Sequence, residues 1–141
     1  HVFVEPAVGR RQPAQFGELA NLVGYTCTEG VRAGETMECE LVWQARHETP
    51  TAYKTFVHLL APDGRFVAGS DAIPAGGQRP TTGWVQGEYI VDKHALTLPA
   101  SLPPGHYQLE VGIYDAVTLQ RLPIQDGGSA LILSQPIAVQ P

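Results

Sequence analysis

Five histidines, His1, His47, His58, His94 and His106, are the side chains of this sequence best suited to move a proton or hold a metal near neutral pH. No two of them stand at i, i+2 on one strand face, so a metal site would need ligands from distant segments, and none is expected. His58 is the most suggestive. It lies in "TFVHLLAPDGRFVAGSD", Thr55 to Asp71, with Asp63 in a Pro-Asp-Gly turn and Asp71 at the end. Asp92 is the second unusual group. In "EYIVDKHALTL" it shares the alternating phase of Ile90, His94, Leu96 and Leu98, which sets a carboxylate among aliphatic side chains. Burying that charge unpaired is very costly, so Asp92 needs a partner. His58 reached across the core is one candidate; Asp71 could instead pair with His58, and backbone or hydroxyl groups could serve either residue. A His58–Asp92 dyad would suit a small hydrolase, yet no nucleophile accompanies it. GxSxG, HExxH and a glycine-rich phosphate loop between strand and helix are all absent. The expected role of His58, Asp92 and Asp71 is therefore structural, and no catalysis is expected of this chain.

A second constellation sits in "DAIPAGGQRPTTGWVQG", Asp71 to Gly87. Irregular connections longer than about 12–15 residues are uncommon unless they serve a function. Trp84, Arg79, Thr81 and Thr82 would suit a sugar, whose C–H face stacks on an aromatic ring while its hydroxyls bond to polar side chains. The competing expectation is that Trp84 plugs one end of the fold, since tryptophans are highly buried on average. Cys27 and Cys39 are the two cysteines. They are too few and wrongly spaced for zinc, which leaves a disulfide or a buried pair of small hydrophobes.

The elements that must position these groups repeat with a period of two. "GHYQLEVGIYD" alternates Tyr107, Leu109, Val111 and Ile113 with polar residues, and "ETMECELVWQA" sends Met37, Cys39, Leu41 and Trp43 to one side. In "YKTFVHLLA" both phases are apolar, with Phe56, His58 and Leu60 on one face and Val57 and Leu59 on the other, as in a central strand. Ala33-Gly34, Pro62-Asp63-Gly64, Pro103-Pro104-Gly105 and Asp126-Gly127-Gly128 punctuate the runs. No amphipathic helix of useful length survives 15 glycines and 12 prolines. The pattern predicts an all-β, immunoglobulin-like or jelly-roll antiparallel sandwich of about seven or eight strands. Tyr107, opening a strand just after a Pro-Gly corner, fits the tyrosine corner of such folds and is assigned to structure.

With 141 residues, the chain fits one domain with a real core. Residues 1–15, containing "PAVGRRQP", are expected to be a linker or extended lead-in, and residues 16–141 the sandwich. A start at His1 suggests a piece of a longer protein. A net charge of -5 and no basic run argue against nucleic acid as a partner. No apolar stretch approaches the roughly 20 residues of a membrane-spanning helix, and no cofactor motif is present.

"FGELANLVGYTC", "GETMECELVWQA", "FVHLLAPDGRFVAGSD", "PAGGQRPTTGW", "GEYIVD" and "LPPGHYQLEVGIYD", in that order, resemble one kind of bacterial domain. It is the soluble β-sandwich at the C-terminus of multi-pass membrane glycosyltransferases similar to the dolichyl-phosphate-mannose mannosyltransferases. The resemblance runs from Phe16 onward. It implies a non-catalytic accessory module on the extracytoplasmic face of the bacterial cytoplasmic membrane. Its partners would be its own membrane domain, a neighbouring protein or carbohydrate; a purely structural, protein-interaction role is the alternative. Where such domains usually have a glycine before Arg121, this chain has Leu119 and Gln120.

Overall fold

A computed structural model describes all residues from His1 to Pro141 and arranges them in two β-sheets. The first sheet is antiparallel, in the order β1 (Arg10–Phe16), β2 (Ala20–Cys27), β4 (Thr36–Ala45), β7 (Tyr89–Thr97). The second runs β3 (Gly30–Arg32), β10 (Ile137–Gln140), β8 (Gly105–Asp115), β5 (Tyr53–Leu60), β6 (Phe66–Ala72), with the short β9 (Leu131–Ile132) also pairing with β8. Their inner faces interdigitate as a β-sandwich. Leu22, Tyr25, Met37, Leu41, Trp43, Ile90 and Leu96 from one sheet meet Val57, Leu59, Leu109, Val111, Ile113 and Ile137 from the other, all sealed from solvent. Alternation along each strand causes this: β7 buries Ile90, Asp92, His94 and Leu96 and exposes Val91, Lys93, Ala95 and Thr97.

Local chemistry sets the corners. Asp63 Oδ1 accepts the Arg65 amide at 3.0 Å, and Gly64 takes the left-handed backbone (φ 86°) that closes the β5–β6 hairpin. Tyr107 donates its hydroxyl to Pro103 O at 2.7 Å, forming the corner that starts β8.

One sequence expectation needs correction. Residues 10–15 are not lead-in: they pair with β2 as the edge strand β1, and even Val2 accepts a backbone hydrogen bond from Tyr89. The segment between Cys27 and Cys39 crosses between the sheets. It leaves the first sheet, runs as β3 parallel to β10 in the second, and returns. β9 and β10 are parted where Gln135 turns inward to give its side-chain amide to Cys27 O and Thr28 O.

Candidate functional site

The buried polar residues gather around Asp92. Its Oδ2 accepts from Thr55 Oγ1 at 2.6 Å, Trp43 Nε1 at 3.1 Å and His94 Nε2 at 3.1 Å, while Oδ1 accepts the Ala75 amide at 2.8 Å. Four donors match the roughly four lone-pair sites of a carboxylate. His94 reaches on through Nδ1 to Ser70 Oγ at 2.8 Å. Burial pushes the Asp92 carboxyl up, but the hydrogen bonds and charge of His94, then those from Thr55 and Ala75, outweigh it and hold the pKa below its ordinary value. The Ser70–His94–Asp92 order superficially mimics a hydrolytic triad. Asp92 is fully buried and His94 nearly so, and the network joins β6 and β5 of one sheet to β7 and β4 of the other. Its chemistry is that of a polar staple.

His58 is not part of it. Thr55 and His58 have opposite parity on β5, so Thr55 points to Asp92 and His58 to the outer face. A His58–Asp92 dyad across the core, one of the pairings the sequence left open, is thus prevented by the sheet itself. His58 Nε2 instead meets Asp71 Oδ1 at 2.8 Å, with Glu110 3.9 Å from Nδ1.

Of the two readings open for Trp84, plug and sugar platform, the fold takes the plug. Trp84 is 1% exposed, and its indole N–H donates to Arg79 O at 2.8 Å. Arg79 is engaged with the buried Glu88 carboxylate. Thr81 is buried too, donating to Thr51 O at 2.8 Å and accepting the Tyr53 amide at 3.0 Å. Thr82 is the one fully exposed residue of the four, with Arg79 half-buried. The loop folds around its tryptophan because the indole offers both a large apolar surface and one N–H to satisfy.

A different surface gathers chemistry. On the outer face of the second sheet, Phe56, His58, Asp71, Tyr114, Leu119 and Arg121 line a groove of about 270 Å³. Two glycines make its floor. A Cβ on Gly112 would lie 2.3 Å from Phe56 Cζ, and one on Gly69 would lie 2.7 Å from His58 Cδ2. Their absence lets the two rings lie low and stack, with centroids 4.3 Å apart, while Phe66 meets His58 edge-on at 5.1 Å. The Arg121 guanidinium carbon stands 4.5 Å from the Phe56 centroid, and Arg121 Nη1 donates to Glu110 Oε1 at 3.1 Å. Burial, and then the Asp71 carboxylate beside it, raise the Tyr114 phenol above its ordinary value, with Arg121 opposing, so the hydroxyl stays a neutral donor. At the rim Leu119 holds a left-handed backbone (φ 65°), a strained conformation for leucine. Carboxylates, a phenol and a guanidinium facing one hollow can bond hydroxyls, while Phe56 has no exposed surface and His58 little, so a ring can stack there only where a neighbouring side chain moves aside.

No protein-family model matches the chain, and no curated protein matches it. Solved structures do. The crystal structure of the C-terminal domain of Wzt aligns with a TM-score of 0.61 at 16% identity, over 95% of this chain and 81% of that one. At that identity the likeness establishes the fold, and it extends over nearly the whole sandwich.

Cys27 and Cys39, directly opposite each other on β2 and β4, form a disulfide. Nothing in the chain groups three or more His, Cys, Asp or Glu side chains for a metal ion, and no helix is long and apolar enough to cross a membrane. Sequence reasoning missed the groove. One signal could have found it: Phe56 and His58 share a phase beside Gly69 and Gly112, residues too small to compete with them.

Proposed function

We propose that this chain is a non-catalytic, extracytoplasmic accessory module of a membrane glycosyltransferase, contacting glycan through the groove on the outer face of its second sheet. The observation that carries the reading is the gathering of Asp71, Glu110, Tyr114 and Arg121 in an open hollow directly over the covered Phe56–His58 stack. Stacking surface and hydroxyl-directed polar groups are what carbohydrate recognition requires. Two further features support the context. A disulfide persists in oxidising compartments and is rare in the cytosol, and the sequence resembles the C-terminal sandwich of mannosyltransferase-like membrane proteins. A non-catalytic role accords with an Asp92 whose acceptor sites are all engaged.

The alternative is a surface for a protein partner, favoured by the exposed aliphatic tips Val117 and Leu119 on the turn beside the groove. NMR titration of the chain with mannose, glucose and galactose oligosaccharides decides between them. The glycan reading expects amide shifts gathered on Phe56, His58, Gly69, Asp71, Gly112 and Tyr114. Shifts confined to the Trp84 loop, or none with any oligosaccharide, overturn it.

A further inference from the structure

Phe56 projects from the solvent side of a sheet, yet none of its surface reaches water. No third layer of the fold covers it. Gly112 lies beneath the ring tip, His58 stacks against it, Tyr114 stands beside it with centroids 6.0 Å apart, and the Arg121 guanidinium lies over it at 4.5 Å. His58 belongs to the same strand, and Gly112 and Tyr114 to the paired strand β8. Arg121 belongs to neither strand: it comes from the turn after β8, joined there by an isolated bridge to Tyr114, and its head is held by Glu110.

That cover is weakly fastened. Arg121 is 37% exposed at its side chain, and exposed cation–π contacts and surface ion pairs each contribute little. Its turn carries the strained Leu119, and strained backbone gathers at ligand clamps and switch regions. Arg121 is already paired with Glu110, and Asp71 is hydrogen-bonded to His58. An acidic sugar would therefore find no free cation there and two carboxylates to repel it, whereas an uncharged ring would lose nothing by replacing a guanidinium on an aromatic face.

Resting on the glycan reading above, we infer that Arg121 is an exchangeable cover: an uncharged sugar ring takes the place of its guanidinium on Phe56, and Arg121 swings aside with its turn. Arg121 is then a gatekeeping residue whose removal strengthens binding. The contact it gives up converts to a gain of about two- to five-fold in affinity for Arg121→Ala.

Calorimetric titration of the wild-type chain and Arg121→Ala, each with mannose, glucose and galactose oligosaccharides and with oligogalacturonate, provides the test. The expected result is binding of a neutral oligosaccharide by both proteins, tighter for Arg121→Ala, with oligogalacturonate weaker for both. Unchanged or weaker neutral binding by Arg121→Ala overturns the cover while leaving the glycan reading intact, as does preference for oligogalacturonate. Failure of both proteins to bind any oligosaccharide overturns both. A thermal melt of Arg121→Ala within a few degrees of wild type, expected for an exposed turn residue, confirms that folded proteins are compared.

Discussion

Asp92 shows how a single buried charge is made tolerable. Its need for partners was legible from the alternation of "YIVDKHALT", which sets it in an apolar phase. The identity of the main partner was legible too, though easily overlooked: His94 is two residues on and shares the face, whereas His58 lies on the opposite phase from Thr55. What the sequence could not reveal is that Ala75, in a left-handed conformation at the loop's turn, would aim its amide at Oδ1. Asp92→Asn keeps the shape but removes the charged acceptor, and it should cost about 3 kcal/mol in urea unfolding at neutral pH. The pH dependence follows from the direction of the shift. A folded-state pKa below the unfolded value of 3.8 means that the ionised group contributes stability in full above that value. The contribution is lost as pH falls through the lower folded-state value. Unfolding measured from pH 6 down to pH 2 should therefore show a steeper acid limb for the wild type than for Asp92→Asn.

At the scale of the element, β5 decides where chemistry can occur. Both its faces are apolar enough to hide which one meets the core, so the sequence identified a central strand without orienting it. Orientation is fixed by neighbours: Thr55, Val57 and Leu59 meet the opposite sheet, while Phe56 and His58 find room only where β8 and β6 present Gly112 and Gly69. The Phe56–Gly112 match is testable by a double-mutant cycle. Gly112→Ala puts a methyl into the ring and should cost about 2 kcal/mol by overpacking. In a Phe56→Ala background the same change should cost little, and near-additive denaturation midpoints would count against the match. The Trp84 loop carries the opposite lesson. Its composition fitted a ligand platform and a plug equally well, because an indole with a nearby carbonyl is satisfied inside or out. Only the folded loop, with Arg79 O waiting for Nε1, separates the two.

In the molecule as a whole, the sandwich was readable from period and turn chemistry, but the path between its sheets was not. Short β3 has no alternation long enough to register, and its parallel pairing with β10 joins segments from opposite ends of the chain. The same excursion is closed by the Cys27–Cys39 bond, with a sequence separation of 12. Loop-closure entropy gives such a bond about 3 kcal/mol. Urea unfolding with and without reductant, compared with the Cys27→Ser/Cys39→Ser chain, should recover a loss of about 2–3 kcal/mol. The closed ring has a mechanical consequence as well. One side of it is riveted into the first sheet, and its far side lies in the second, against the final strand. If the chain is pulled from its two ends, force enters that strand at once, but the ring itself cannot pay out. Roughly 40 Å of contour stays hidden until the bond is reduced. Tension arriving from a tethered neighbour would therefore unzip β10 from β3 before it could unravel the corner where the sheets are joined.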